Sequence, residues 1–180
     1  MTSPSAPAPT LSSLALQPYI DATGQIPTLH QGKVGIYAIY DADQHLQYVG
    51  YSRDIYQSLK QHLVRQPHAC HAYKAQTIDR PSRTLLENLR QAWLTEQGTL
   101  PPGNQQEDRW TQPIDTKPTM TEAEKAEYAD LDEVAQIKFL KRIARRVEAD
   151  ILAVLDQRGV QMELRFNPKL KESGLLDLKS

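Results

Sequence analysis

The sequence predicts an α/β protein of the α+β kind: a three-stranded antiparallel sheet flanked by helices, then a long C-terminal helix and a further short strand whose pairing the sequence leaves open. Three observations predict it. Two short β-branched and aromatic runs are separated by a polar turn, apolar residues recur at helical spacing on either side of a third such run, and a long amphipathic pattern fills much of the last third.

Residues 1–9, MTSPSAPAP, combine small polar residues with repeated proline and read as a disordered tail. Residues 11–31 are irregular, with scattered Leu14, Leu16, Tyr19 and Ile20, and are expected to drape over the domain. Residues 34–40, VGIYAIY, and 46–50, LQYVG, flank the polar residues 41–44 and predict a β-hairpin. Ser52 stands as N-cap before a helix whose Ile55, Leu59 and Leu63 share one face and which ends near Arg65. A third strand is expected within residues 71–78. Pro81-Ser82 opens a second helix with Leu85, Leu86, Leu89 and Trp93 on one face, and Gly98 with Pro101-Pro102-Gly103 closes it. An acidic stretch, residues 107–133, links to the long helix through Val134, Ile137, Ala144, Val147, Ile151 and Val154. Gly159 stops that helix, and Val160, Met162, Leu164 and Phe166 alternate as in a half-buried strand. The organisation is therefore residues 1–31, a domain over 32–104, and an appended segment over 105–180.

Composition restricts the function classes. The chain has 180 residues, 39% hydrophobic and 24% charged, and no apolar run approaches the ~20 residues of a membrane span. Its single cysteine, Cys70, has no disulfide partner within the chain, and HACH around it lacks a second ligand pair, so a structural role is expected for His68, Cys70 and His71. No Lys or Arg precedes Lys33, unlike a secretory or transit peptide, which predicts the cytoplasm. A net charge of -1 supplies no general attraction to nucleic acid. The run Lys138, Lys141, Arg142, Arg145 and Arg146 is expected to be neutralised by the acidic stretch.

Gly35-Ile36-Tyr37 and Tyr48-Val49-Gly50, followed by a capped helix with His62, a strand, a helix bearing Trp93-Leu94, and PPGN ending at Asn104, together resemble the GIY-YIG nuclease superfamily. The C-terminal segment also looks like that of uncharacterised GIY-YIG-domain proteins of cyanobacteria and plastids. The resemblance implies hairpin tyrosines at Tyr37 and Tyr48 that help activate water, a helix-end histidine at His62 and an asparagine at Asn104. It also implies a cation on the first helix and a metal-holding glutamate on the second, because phosphodiester hydrolysis gathers negative charge on phosphoryl oxygens. Those two positions hold Ser58 and Arg90 instead. A guanidinium repels a divalent cation yet suits a phosphate, so Arg90 and nearby Arg53 become phosphate-binding candidates. Arg83, Glu87 and Arg90 also read as an ion-pair ladder. The expected function is a non-catalytic module that binds a protein partner, or a nucleic acid, without a cofactor. The alternative is an endonuclease using Mg or Mn, with Glu87 as displaced metal ligand. In either case Tyr37, Tyr48, Ser58, Arg90 and Asn104 are expected to line one concavity.

Overall fold

A computed structural model describes residues 9–179, so most of the expected N-terminal tail lies outside the described residues. The hairpin forms as expected. Strand β2 (Gly35–Tyr40) pairs antiparallel with β3 (Leu46–Ser52), placing Tyr37 opposite Gly50 and Ile39 opposite Tyr48. The turn is built by Asp41, whose carboxylate accepts the backbone N–H groups of Asp43 and His45, with Gln44 at φ 62°. Strand β4 (Ala72–Thr77) pairs with the other edge of β2.

The sheet has four strands rather than three, because β1 (Gln17–Pro18) adds to β4 in the order β1-β4-β2-β3. A proline is tolerated there because the strand lies at an edge. The segment before the hairpin is more than a drape: Leu11, Tyr19 and Ile26 are buried, and the Tyr19 hydroxyl donates to the Leu59 carbonyl.

Every residue of β2 is buried, since both faces of the sheet are covered. Tyr37, Ile39, Tyr48 and Tyr73 pack against helix α1 (Ile55–Arg65) through Ile55, Leu59 and Leu63. On the other face Ile36, Ala38 and Val49 meet Leu89 and Trp93 of α2 (Arg83–Gln97). Helix α1 begins two residues later than expected. Asp54 is its N-cap, accepting from the Gln57 N–H, while Ser52 ends β3 and accepts from the Asp54 N–H. Ser82 caps α2 as expected and Gly98 closes it at φ 84°, but Leu85 is 44% exposed and does not join the buried face.

Residues 107–133 are not a linker. After α3 (Pro102–Gln105) come α4 (Asp108–Thr111), strand β5 (Ile114–Asp115), a 3-10 turn at Lys117–Thr119 and α5 (Glu122–Ala129), which opens on a Thr121–Glu124 capping box. Helix α6 (Glu133–Gln157) buries Phe139, Leu140, Ile143, Ala144, Ile151 and Leu155. Val134 and Ile137, expected on that face, are exposed, and the buried face of the helix begins at Phe139. The basic run is only partly neutralised by the acidic stretch: Arg146 pairs with Glu124 and Arg142 with Glu127, Lys141 pairs with Glu172 beyond that stretch, and Lys138 and Arg145 make no ion pair among the described residues. Residues 160–166 alternate in burial, yet among them only Phe166 bridges to another strand-like residue, Leu178. The extra pairing instead joins β5 to β6 (Leu175–Leu176), beyond the short α7 (Pro168–Lys171). No helix of the described residues is long and apolar enough to cross a membrane.

Candidate functional site

Alternation along β2 aims Tyr37 at the α1 side, and pairing with β3 brings Tyr48 to the same face. His62, in the last turn of α1, comes under both rings. The Tyr37 hydroxyl lies 2.7 Å from His62 Nε2, and the ring centroids of Tyr48 and His62 are 5.0 Å apart. Gly50 makes this possible: a Cβ there would lie 2.6 Å from Tyr48 Cε1 and 2.9 Å from the Tyr37 hydroxyl.

These groups are closed in. Tyr37 and His62 are each 3% exposed and Tyr48 is 6% exposed. Trp110, from the segment that the sequence left as a linker, stacks on Tyr48 at 4.9 Å with 6° between the planes and lies 5.5 Å from His62. The expected open concavity is therefore filled by the chain's own indole, an apolar surface that gains by leaving water. The approach is close enough that a Cβ at Gly103 would meet Trp110 Nε1 at 2.6 Å.

Electrostatics follow from the burial. Burial lowers the His62 pKa to about 3, the nearby Arg65 guanidinium lowers it too, and the Trp110 backbone opposes them. Burial likewise raises the Tyr37 phenol far above its ordinary value, with the Ser58 hydroxyl facing it as a weaker opposing influence. Tyr48 is pushed up to about 12, by burial first and by the Glu107 carboxylate second, against Arg90 and Arg65. All three groups are neutral near pH 7, and neither phenol is poised to give up a proton. His62 Nδ1 and Arg65 Nε are buried without a hydrogen-bond partner.

Arg90 lies near enough to Tyr48 to oppose the rise of its pKa, but its charge is satisfied. Its guanidinium donates to Glu87 at 3.3 Å and to the Glu107 carboxylate, and its side chain is 19% exposed. Glu87 also accepts from Gln91, which lowers its pKa ahead of its other partners. The residues present therefore do not fit a divalent metal: a cation stands at the ligand position and the nearest carboxylate is committed to it. The ladder expected of Arg83, Glu87 and Arg90 forms only between the last two. Asn104 spends both ends of its amide on Val49, accepting its N–H at 2.8 Å and donating to its C=O at 2.9 Å, so it serves as a strand partner for the β3 edge. Arg53 does not join the group; it lines a separate cavity at the start of α1.

Two further residues organise the site. Arg65 donates to the Trp110 carbonyl at 2.8 Å and grips the Asp177 carboxylate at 2.9 and 3.1 Å. Its signal was readable: Ser58, His62 and Arg65 follow at four and then three residues, one face of a helix. Trp110 offered only the weak signal of a lone indole in an acidic stretch. Cys70 is buried with its thiol pushed up to about 12 by that burial, in accord with a structural role. Among the described residues the one grouping with metal-ligand spacing is Asp41, Asp43 and His45, whose Asp41 already holds the hairpin turn.

Comparison with known proteins agrees with this geometry. The model of the GIY-YIG catalytic domain family matches residues 33–94. The chain is 36% identical over 74 residues to the bifunctional monothiol glutaredoxin-S16, chloroplastic, of Arabidopsis thaliana, a match covering 39% of this chain and 25% of that protein. The chain thus spans about a quarter of the length of this curated relative. The hairpin pairing of Gly35-Ile36-Tyr37 with Tyr48-Val49-Gly50, the helix order and the family match lead to one conclusion: this chain carries a domain of the GIY-YIG superfamily.

Proposed function

We propose that this chain is a GIY-YIG module that binds a partner without cutting phosphodiesters. The observation that carries the reading is the stack of Trp110 on Tyr48, with its indole tilted against His62, beside an Arg90 already neutralised by Glu87 and Glu107. A nuclease needs its water-activating phenol, a phosphate-neutralising cation and a metal ligand to meet in open space. Here the phenols are enclosed, the helix position holds Ser58, and the ligand position holds a cation.

A protein is the partner class this reading favours over nucleic acid. The net charge is -1, and three of the five cations in the strongest basic run face Glu124, Glu127 and Glu172. That leaves little cationic surface to hold a duplex. The glutaredoxin activity in the plant relative's name is not carried over, since the one thiol here is buried. The same buried thiol suits a reducing compartment, and the proposal places the protein in the cytoplasm.

The test is a nuclease assay of the purified protein on branched, single-stranded and duplex DNA with Mg2+ and Mn2+. No cleavage is expected. Cleavage that disappears in Tyr37→Phe would overturn the reading in favour of a metal-dependent endonuclease. Mobility shifts at low salt and a pull-down then separate the partner classes: one stoichiometric protein is expected, whereas tight, salt-sensitive DNA binding lost in Arg90→Ala contradicts the preference for protein.

A further inference from the structure

Where β3 ends, α1 starts and α2 starts, the chain encloses a cavity of about 320 Å3. Its wall is mixed. Val34, Pro81 and Leu86 supply apolar surface, and the ring of Tyr51 stands among them. Arg53 and Arg83 complete the lining from two different helix starts, and neither makes an ion pair among the described residues.

The neighbouring carboxylates are engaged elsewhere. Asp54 accepts from the backbone of Gly32 and Gln57, and Glu87 from Arg90 and Gln91. Ser52 and Ser82, also in the lining, each accept one backbone N–H, so their hydroxyl protons stay available to an acceptor. Two unpaired guanidinium groups with two hydroxyl donors match a phosphoryl group, which takes several charge-assisted hydrogen bonds at once. An aromatic ring beside apolar walls matches the flat face of a base. The volume lies at the small end of ligand sites, roughly 300 Å3 and upward, which excludes a duplex and admits one nucleotide.

We propose that this cavity binds one phosphorylated nucleoside unit, its phosphate between Arg53 and Arg83 and its base against Tyr51 and the apolar wall. The unit is either a free mononucleotide or one residue of a single strand. This assignment does not rest on whether the Tyr37 site cuts or on the partner that the module takes.

The experiment is an amide-resolved NMR titration of the full chain with three probes: adenosine 5′-monophosphate, adenosine and hexathymidylate. Adenosine monophosphate is expected to shift the amides of Tyr51, Ser52, Arg83 and Leu86, with adenosine and the Arg53→Gln/Arg83→Gln variant each weaker by about tenfold or more. Both arginines are exposed, so the variant keeps its fold, which its own spectrum reports. Saturation by the monophosphate supports a free nucleotide as ligand; saturation by hexathymidylate alone, at the same amides, supports a single strand. Equal binding of adenosine and its monophosphate, indifference to the two arginines, or shifts confined to other residues overturns the proposal.

Discussion

Trp110 decides the chemistry available to Tyr48. The ring is excluded from water by the indole stacked on it, and burial is the largest cause of its raised pKa of about 12. Trp110→Ala should bring the Tyr48 ionisation down toward about 10, the value of a free phenol. It should also cost about 3–5 kcal/mol of stability, as loss of a buried aromatic does. With 8 tyrosines in the chain, site-resolved 13C NMR of the phenol carbons is the appropriate measurement. An unmoved Tyr48 titration would mean that the sheet, not the indole, excludes the water. His62 makes a second prediction. An unfolded histidine takes its proton near pH ~6.5, whereas folded His62 takes it only near pH 3. Between those values the unfolded state binds more protons, so stability is full above the unfolded value and falls as pH drops toward 3. Urea midpoints of His62→Phe should decline less steeply over that window than those of the parent chain. Identical slopes would show that other groups carry the acid sensitivity.

At the scale of elements, α1 acts as a bracket for the C-terminal segment. Its last turn presents Arg65 to two distant pieces at once, the Trp110 carbonyl of α4 and the Asp177 carboxylate just beyond β6. The Arg65 and Asp177 side chains are 6% and 16% exposed, which makes this a largely buried ion pair. Removing one partner of such a pair leaves a desolvated charge and costs about 3–5 kcal/mol, far more than an exposed pair. Asp177→Ala should therefore lower the urea midpoint and make the segment after α6 the first site of limited proteolysis. The exposed Arg165–Glu163 pair is the control: Glu163→Ala should change stability by less than about 0.5 kcal/mol. Equal effects of the two substitutions would remove Arg65 from its role as organiser.

For the whole molecule, the scaffold and the plug are separable. Arg90→Glu with Ser58→Arg places a carboxylate and a cation at the positions the superfamily resemblance requires, beside Glu87 and Glu107 already present. Titration with Mn2+ should then register a bound ion at this site, and none is expected in the parent chain. Cleavage of single-stranded or branched DNA should appear only when Trp110→Ala is added, because the indole still covers Tyr48 in the double variant. A double variant that cuts with Trp110 in place would show that the indole moves aside freely.

What the sequence determined by itself is what neighbours in the chain decide. Strand alternation, helical spacing and capping act over a few residues, so the hairpin, α1, β4, α2 and α6 were legible, while the superfamily resemblance drew Tyr37 and Tyr48 together and singled out His62 without placing it beside them. The short-range reading failed where one polar residue competed with another two positions away, as Ser52 did with Asp54. It also failed where a spacing was helical but its turn met no partner, as at Leu85, Val134 and Ile137. Only the tertiary structure decided the state of the site. Asn104 turned to the β3 edge because an edge strand needs partners, and Arg90 found Glu107. Trp110 reached Tyr48, and Asp177 reached Arg65 across 112 residues. No local pattern encodes such meetings. Burial of apolar surface and of opposite charge is scored between elements, after the chain has closed on itself.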